Sequence, residues 1–548
     1  MPGHGMWQYL PGQIFVAARE PLKTGGKMEK RASGVLLHIT SLPETPGIGT
    51  MGKQAYKFAD WLHSAGQTMW QILPLGPTGY GDSPYASFST FAGNPLLIDL
   101  DNLVERGWAL AGDIVPPEYI KCDGDVDFGS VVWWKIPLLY KCAEYFLKNC
   151  KKADRAKYEA FKNDNQVWLN NFADYTSIKK FYDAEAQKKN VTGIDSMWNS
   201  FWPKDLASHD PAAVSKWDAE HSADVESIKV IQFFFSEQWH SLKSYANKLG
   251  ISIIGDIPIF VAGDSADVWA NQKFFQFDSN TLLQTSCAGV PPDYFSATGQ
   301  LWGNPLYDWD AMKKDNYSWW VSRIQNMLHL VDIVRIDHFR GFDTYWQIPY
   351  GADNAIGGKW VKGPGLDLFN EIEKRLGKLP IIAEDLGTLT PDVEKLRDDC
   401  GFPGMKILQF AFNDNPWSDE SARNDYLPDN YKTEKCVVYT GTHDNDTTVG
   451  VLSSSAEQYR INIASYFGMD KNASVKDISL RLVQAAFQSK AEYCIIPLQD
   501  VYCLGSEARM NTPSTTGANW SWRMDSSLLD SAGANMLKSL SAETSRNL

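Results

Sequence analysis

The sequence predicts an α/β fold, a (β/α)8 TIM barrel that carries inserted, mainly helical subdomains. Three observations lead to this prediction. Eight short apolar runs rich in β-branched residues recur along the chain, and each ends in polar, Gly or Pro residues. Amphipathic stretches separate the runs, and strands that alternate with helices are typical of a parallel sheet. Acidic residues follow several of the runs, at the positions where the active sites of such barrels lie.

The strand predictions rest on composition and on how each run ends. In chain order the predicted strands are SGVLLHIT (33–40), TMWQILPL (68–75), ISIIGDIPI (251–259), VDIVRIDH (331–338), LPIIAED (379–385), MKILQFAF (405–412), CVVYTGTHD (436–444) and EYCIIPLQD (492–500). Two intervening stretches, GKQAYKFADWLHSAG (52–66) and TPDVEKLRDDCGF (390–402), are predicted as helices. In the second, Thr390 and Pro391 are residue types that favour an N-cap and a first helical turn.

The spacing of the strands predicts where the barrel is elaborated. Residues 1–30 are predicted as an N-terminal extension, in which Met28 offers an alternative translation start, and residues 31–548 as the catalytic barrel. The roughly 175 residues between the second and third strands are too many for a plain connection. We therefore expect an inserted helical subdomain at about 76–245, with helices in KIPLLYKCAEYFLKNC and KVIQFFFSEQWHSLKSYANKLG, and an active-site loop region at about 262–330.

Charge and motif content argue against several kinds of partner and site. The formal net charge is −14 and no clustered run of Lys and Arg occurs, so nucleic acid is not expected as a partner. No stretch reaches about 18 uninterrupted apolar residues, so no membrane partner is expected. The 8 cysteines form no C-x-x-C pair and the 9 histidines form no H-E-x-x-H motif, so we expect neither a metal nor a disulfide framework.

The first residues lack the pattern of a signal peptide, and we expect a cytoplasmic protein, or a plastid one if the source is a plant or alga.

Polar residues that follow the predicted strands are the candidates for chemistry. They are Asp256, Asp337, Glu384, Asp385, His443 and Asp444. In an eight-stranded α/β barrel the C-terminal ends of the strands form the rim that carries the active site. For any one position, an acidic residue that caps the next helix is the competing interpretation, and it stays open at Asp444. Carboxylates after four of the eight predicted strands favour an active site.

Two of these carboxylates have the neighbours expected of a nucleophile and an acid. Arg335 and Asp337 are two residues apart in a predicted strand, so their side chains point to the same side and can pair. A guanidinium beside a carboxylate lowers its pKa, which would keep Asp337 ionised for attack on an anomeric carbon. A structural ion pair is the alternative. Glu384 can hold a proton near neutral pH if burial raises its pKa, and two such carboxylates are the machinery of a retaining glycosidase.

Four short segments resemble the signature regions of the α-amylase clan. They are GDIPIFV (255–261), VRIDHFRGF (334–342), IIAEDLG (381–387) and GTHDN (441–445). Two longer segments, GDSPYASFSTFAGNPLLIDLD (81–101) and GVPPDYFSATGQLWGNPLYDW (289–309), resemble the amylomaltases, the 4-α-glucanotransferases of glycoside hydrolase family 77. The resemblance covers residues 31–525, and the two longer segments favour this family over the amylases proper.

The resemblance implies an enzyme that transfers part of an α-1,4-glucan to the 4-hydroxyl of another glucan or of glucose, with retention of configuration. It assigns the nucleophile to Asp337, the acid/base to Glu384 and the transition-state stabiliser to Asp444. It places around the sugar whose bond is cut the residues Tyr85, Asp256, Arg335 and His443. It also implies that no metal and no organic cofactor is needed.

The 289–309 segment offers a physical reason for transfer to a sugar instead of water. We expect a loop whose aromatic side chains displace water and position the acceptor; they are Tyr294, Phe295 and Trp302. The motifs leave two other functions open. A hydrolase of the same clan would share the four short segments. A non-catalytic glucan-binding protein would be expected to lack one of the three acidic residues, and all three are present.

Overall fold

The strands of the computed structural model, which describes residues 31–292, 296–387, 389–412 and 424–546, form two sheets. Their bounds are β1 Ala32–Leu36, β2 Met69–Gln71, β3 Ser252–Pro258, β4 Ser286–Val290, β5 Gln300–Pro305, β6 Ile333–Asp337, β7 Thr344–Pro349, β8 Lys359–Lys362, β9 Ile381–Ala383, β10 Gly404–Ile407, β11 Cys436–Tyr439 and β12 Tyr493–Pro497. The predicted extension at 1–30 lies outside the described residues.

Eight of the strands are parallel and form one sheet in the order β10-β11-β12-β1-β2-β3-β6-β9. The two edge strands approach each other, because the Ala383 N–H at the end of β9 donates to the Pro403 carbonyl just before β10 at 2.9 Å. Continuous apolar runs are typical of parallel strands that are covered on both faces, and in β12 every residue is buried. Each of the eight strands coincides with one predicted strand, so the predicted (β/α)8 barrel is confirmed.

A smaller antiparallel sheet, with the order β5-β4-β7-β8, was not predicted from the sequence. Strands β4 and β5 lie in the region predicted as a loop elaboration at about 262–330, whereas β7 and β8 follow the barrel strand β6. In register, Gly289 of β4 faces Leu301 of β5 and Trp346 of β7, and Trp346 faces Trp360 of β8. Strand β6 ends at Asp337 and β7 begins at Thr344, so only a short connection separates this sheet from the barrel rim.

Helices cover the barrel and fill the long connections. Their bounds are α1 Lys53–Ser64, α2 Leu100–Glu105, α3 Phe128–Asn149, α4 Lys152–Lys188, α5 Trp198–Phe201, α6 Lys204–Ala207, α7 Pro211–Glu220, α8 Ser222–Lys248, α9 Ala266–Ala270, α10 Trp309–Lys314, α11 Ser318–Leu330, α12 Leu366–Leu376, α13 Pro391–Cys400, α14 Thr448–Ser454, α15 Glu457–Tyr466, α16 Val475–Gln488, α17 Leu498–Val501 and α18 Ser531–Glu543. As predicted, Thr390 is the N-cap residue of α13 and Pro391 its first residue. In the described part of the chain, no helix is long and apolar enough to span a membrane.

The connection between β2 and β3 contains the helices α2 to α8. Helix α8 packs along α3 and α4 and also against α1 of the barrel. Trp108 lies at the centre of an aromatic cluster in this region, with ring centroids 5.4 Å from Phe146, 5.3 Å from Phe233 and 5.4 Å from Phe234. The helical character expected of the insertion is present, and its extent as a separate subdomain at about 76–245 stays a prediction.

Candidate active site

The rim of the barrel brings two of the predicted acidic residues together. Asp337 is the last residue of β6, and Glu384 follows the last residue of β9. The two strands are paired so that Ile336 faces Ala383. The residues that come next on each strand, Asp337 and Glu384, therefore lie side by side.

Arg335 is the cation of this site. It faces Asp256 of β3 in register, and its Nη1 donates to Asp256 Oδ2 at 2.6 Å. Its Nη2 lies 3.0 Å from Asp337 Oδ1, so the predicted pair is present and Arg335 holds Asp256 as well. The side chains of Arg335 and Asp256 are 3% and 0% exposed, whereas that of Asp337 is 28% exposed. Of the two carboxylates, Asp337 is the one that remains accessible to a substrate.

Glu384 is oriented by two backbone N–H groups. The His338 N–H donates to Oε2 at 2.7 Å, and the Leu386 N–H donates to Oε1 at 2.8 Å. His338 has a left-handed backbone with φ of 54°, which is uncommon for a residue with a side chain. The turn that follows Asp337 therefore also holds Glu384 in place.

Burial raises the pKa of both carboxyls. It raises the pKa of Asp337 to about 8, an effect that Arg335 opposes and Glu384 reinforces. It also raises the pKa of Glu384, again against the influence of Arg335. The prediction that Arg335 leaves Asp337 with a lowered pKa is therefore wrong in its net direction, because one guanidinium is shared between Asp256 and Asp337 and does not outweigh burial. Near neutral pH the two neighbouring carboxyls retain a proton.

Asp444 and His443 lie in the turn after β11. His443 Nε2 is 3.3 Å from Asp444 Oδ2, and the Asp444 side chain is 42% exposed. Burial lowers the pKa of His443, although Asp444 acts in the opposite direction. The following helix, α14, has Thr447 as its N-cap, and the Thr447 side chain accepts a hydrogen bond from the Gly450 N–H. The helix-capping interpretation of Asp444 is therefore wrong, and its carboxylate is available to a ligand.

Tyr85 connects the loop after β2 to this group. Its hydroxyl donates to Asp256 Oδ2 at 2.9 Å, the same oxygen that accepts from Arg335. Its ring stacks on His443 with a centroid distance of 5.2 Å and an interplanar angle of 13°. Burial raises the pKa of Tyr85 well above its ordinary value, so the phenol stays protonated and donates. Tyr85, Asp256, Arg335 and Asp337 are thus connected by two hydrogen bonds and an ion pair.

Three aromatic residues were predicted to cover the site, and one of them, Trp302 of β5, lies among the described residues. The residue is 38% exposed. Its ring makes a T-shaped contact with His338, the residue after Asp337, at a centroid distance of 4.9 Å. Tyr294 and Phe295 lie outside the described residues. Trp302 is therefore placed beside the rim with part of its surface open.

Asp385, next to Glu384 in the sequence, has a structural role. Its side chain is 3% exposed and pairs with Arg397 of α13. It also accepts a hydrogen bond from the Met405 N–H in β10 at 2.7 Å. These contacts join the end of β9 to α13 and β10, so the predicted grouping of Asp385 with the reactive carboxylates is wrong.

Three residues near the C-terminus contact the site and were not predicted. Asn511 Nδ2 donates to Asp444 Oδ1 at 2.7 Å, and Arg509 Nη2 donates to the Asp444 carbonyl at 3.1 Å. The Trp520 ring centroid lies 5.8 Å from Tyr85 and 5.9 Å from His443. These residues follow no strand of the barrel, since β12 ends well before them. The sequence offers one weak signal, the aromatic and amide-containing run NWSW at 519–522.

Clusters that could bind a metal ion, and disulfides, are absent from the described residues. Over this part of the chain, no group of three or more His, Cys, Asp or Glu side chains is arranged to hold a metal ion. The eight cysteines are free thiols, and four of them are buried: Cys142, Cys287, Cys436 and Cys494.

Known proteins are similar to this chain in sequence and in fold. The glycoside hydrolase family 77 model, described as 4-alpha-glucanotransferase, matches residues 37–529. A 4-alpha-glucanotransferase of Streptococcus pneumoniae serotype 4 is 46% identical over 498 residues, which cover 91% of this chain and 94% of the relative. A chloroplastic/amyloplastic 4-alpha-glucanotransferase of Solanum tuberosum is 42% identical over 505 residues, which cover 91% of this chain and 83% of the relative. The structure of an amylomaltase from Streptococcus agalactiae in complex with acarbose has a TM-score of 0.87 and 36% identity, and the match covers 95% of this chain and 100% of that one.

Proposed function

The chain belongs to the 4-alpha-glucanotransferases of glycoside hydrolase family 77, and we propose that it works by a retaining double displacement with Asp337 as nucleophile and Glu384 as acid and base. One observation carries this proposal. The two carboxyls lie side by side at the barrel rim, and Asp337, whose side chain is 28% exposed, has Arg335 at 3.0 Å. A retaining glycosidase needs one nucleophilic carboxylate and one carboxyl that carries a proton.

The first half-reaction cuts the donor glucan. An Asp337 oxygen attacks the anomeric carbon while the bond from that carbon to the 4-oxygen of the leaving glucan breaks. Glu384 gives its proton to the leaving oxygen, so the departing chain has a neutral 4-hydroxyl. In the second half-reaction the 4-hydroxyl of an acceptor gives its proton to Glu384, attacks the same carbon and displaces Asp337. Two inversions give overall retention.

The proton of the pair has to be on Glu384 when the donor is bound. Arg335 contacts Asp337 directly and stabilises its anion, which favours the proton on Glu384. The positive charge that develops on the sugar in the transition state also favours an ionised Asp337. Asp444, which faces the site with its side chain 42% exposed, supplies a further negative charge there.

The remaining residues hold the sugar that is attacked. Tyr85 and His443 stack on each other and form a wall of this subsite. Asp256 keeps Arg335 and Tyr85 in place through one carboxylate oxygen. Each of these side chains is held by a partner in the protein, so little reorganisation is needed when charge develops.

Aromatic cover explains why a sugar competes with water as acceptor. Trp302 contacts His338 beside the nucleophile and keeps an exposed surface for an incoming glucan. Tyr294 and Phe295 are proposed to complete the cover. A positioned 4-hydroxyl then reacts faster than unpositioned water, because orientation supplies a large part of the barrier reduction.

The substrates follow from this chemistry. Donors and acceptors are α-1,4-glucans such as maltooligosaccharides and amylose, and glucose is an acceptor because it has the same 4-hydroxyl. We place the enzyme in a reducing compartment, the cytoplasm or, in a plant or alga, the plastid. The eight free cysteines and the chloroplastic relative support this location.

Incubation with maltotriose as the single substrate tests the proposal. Disproportionation gives glucose and a ladder of longer oligomers, whereas a hydrolase gives only glucose and maltose. We expect the ladder, and we expect Asp337→Asn to abolish it and Glu384→Gln to slow it by about 10²–10⁴-fold. Hydrolysis products alone would indicate the rival function. Near-wild-type transfer by Asp337→Asn, with its fold intact by circular dichroism, would exclude the proposed nucleophile.

A further inference from the structure

The segment between α17 and α18 crosses the rim of the barrel and reaches the site. Within it, residues 509–520, here called the rim segment, contact three site residues: Tyr85, His443 and Asp444. None of the catalytic steps proposed above uses a side chain of this segment. Its contacts therefore call for a separate explanation.

Asp444 is held at both carboxylate oxygens. Oδ1 accepts a hydrogen bond from Asn511 Nδ2 at 2.7 Å, and Oδ2 lies 3.3 Å from His443 Nε2. Asn511 is 9% exposed, whereas the Asp444 side chain is 42% exposed. The amide donor therefore lies on the protein side of the carboxylate and leaves its open side free.

Asn511 is itself held in place relative to Asp444. Arg509 Nε donates to the Asn511 carbonyl at 2.7 Å, and Arg509 Nη2 donates to the Asp444 carbonyl at 3.1 Å. One guanidinium thus bridges the backbones of the two residues whose side chains are hydrogen-bonded. This leaves little freedom for the distance between the Asn511 amide and the Asp444 carboxylate to change.

Trp520 is the third residue of the rim segment that contacts the site. Its backbone has φ of 66°, which is an outlier for a bulky side chain, and its N–H donates to the Met510 carbonyl at 2.7 Å. From this turn its ring packs on both Tyr85 and His443. Strained backbone of this kind persists where the surrounding contacts determine it, and it is common at functional sites.

We propose that Asn511 is a positioning residue, whose amide sets the orientation of the Asp444 carboxylate for the glucosyl transition state. A carboxylate that is already oriented does not have to reorganise as positive charge develops on the sugar. This inference rests on the proposed role of Asp444. It adds to that role a residue that carries no charge and acts through its hydrogen bond to Asp444.

Two substitutions at Asn511 test the proposal: one removes the hydrogen-bond donor, and the other replaces it with a group that donates only when it is protonated. Asn511→Ala removes the donor, and since a hydrogen bond to a charged group is strong, we expect kcat to fall about 10- to 100-fold with a smaller change in KM. Asn511→Asp places a second carboxyl about 2.7 Å from Asp444 Oδ1. Two such carboxyls cannot both ionise at little cost, so this variant keeps a donor only while it is protonated.

The pH profile separates positioning from simple loss of structure. The charged and titratable groups around Asp444 include His443, Arg509, Tyr85 and Asp337, and behind them Arg335 and Asp256. All of them remain in Asn511→Asp. We therefore expect its kcat to be closest to wild type at acidic pH and to fall on the alkaline side at least about one pH unit earlier than that of the wild type, as the added carboxyl ionises.

Asn519→Ala is the matched control, because it removes an amide of the same segment that contacts Thr512 and Thr515. We expect its kcat to stay within about threefold of wild type. Equal losses in Asn519→Ala and Asn511→Ala, or an unshifted pH profile in Asn511→Asp, would overturn the proposal. Asp444→Asn is measured in parallel. If it retains activity, the role of Asp444 itself is wrong, whereas an inactive Asp444→Asn with a fully active Asn511→Ala refutes only the positioning role.

Discussion

At the scale of single residues, Arg335 divides one positive charge between two carboxylates. It donates to Asp256 at 2.6 Å and lies 3.0 Å from Asp337, and it is nearly inaccessible to solvent. Asp256 and Asp337 work against the effect of burial on Arg335 and raise its pKa well above the ordinary value, so it stays a cation. With Glu384 beside them, the carboxylates still outnumber the cation, and the site takes up a proton near neutral pH.

This charge balance predicts a bell-shaped pH profile for kcat/KM with an alkaline limb near pH 8. The active form holds one proton on the pair Asp337 and Glu384, and burial raises the pKa of Asp337 to about 8. Above that pH both carboxyls are ionised and the acid is missing, so the rate falls; below the lower pKa both are protonated and the nucleophile is missing. Initial rates of glucose release from maltotriose between pH 4 and 10 measure both limbs.

Substitution of Arg335 tests the direction in which its charge shifts the pKa of Asp337 and Glu384. Arg335→Met removes the cation, so both carboxyls hold their protons more strongly and both limbs should move to higher pH. Arg335→Lys keeps the charge and serves as the control, with a lower rate and a smaller shift of the limbs. A wild-type alkaline limb below about pH 6, or identical limbs in the methionine and lysine variants, would show that Arg335 does not control this titration.

At the scale of elements, one arginine of α11 joins the end of β3 to the loop that carries Tyr85. Arg323 is fully buried, and its Nη1 and Nη2 donate to the carbonyls of Ile259 and Pro258 at 3.0 and 2.6 Å. Its Nε donates to Thr90 Oγ1 at 2.8 Å. The loop from Tyr85 to Thr90 and the strand that carries Asp256 are therefore held by the same side chain.

We expect Arg323→Met to lower both stability and activity. The variant keeps much of the volume but removes the Arg323 donors from the Pro258 carbonyl and Thr90 Oγ1, whereas the Ile259 carbonyl still accepts from the Tyr307 hydroxyl at 2.7 Å. A buried acceptor without a donor costs about 1–3 kcal/mol, so the melting temperature should fall. A displaced loop would move Tyr85 away from Asp256, and we expect kcat/KM to fall about tenfold. Asn326→Ala is the control on the same helix, since its amide contacts the same loop through one longer bond of 3.3 Å to the Phe91 carbonyl. An unchanged melting temperature in Arg323→Met would contradict the role assigned to it.

The elements that could be predicted from the sequence are those with a continuous apolar pattern. The barrel strands are buried on both faces, and the residues at their ends, Asp337 and Glu384, could be found by position alone. Strands β5 and β8 of the small sheet are mostly exposed and carry no such pattern, so this sheet was missed. Asn511 could not be found either, because its partner Asp444 is 67 residues away and the contact depends on tertiary packing.

At the scale of the whole molecule, Arg546, a residue far along the chain, binds the start of two neighbouring barrel strands, β1 and β12. Arg546 is fully buried and donates to backbone carbonyls of residues before or at the start of β1 and β12. The distances are 3.1 Å to Ala32, 3.2 Å to Glu492, 2.7 Å to Ala491, 3.0 Å to Ser489 and 2.9 Å to Phe487. Burial lowers the pKa of Arg546 to about 10, so it remains charged at neutral pH.

We expect Arg546→Met to destabilise the fold without changing the chemistry. Loss of the guanidinium leaves several buried carbonyls without this donor, so the free energy of unfolding should fall by about 3 kcal/mol or more. The contacts lie at the N-terminal ends of the strands, opposite the rim, so kcat at 25 °C should stay within about twofold of wild type. Arg375→Met removes a surface pair with Glu371 on α12 and is the control, with an expected cost below about 1 kcal/mol. Urea denaturation followed by tryptophan fluorescence compares the three proteins, and equal midpoints would show that the C-terminal arginine does not stabilise the barrel.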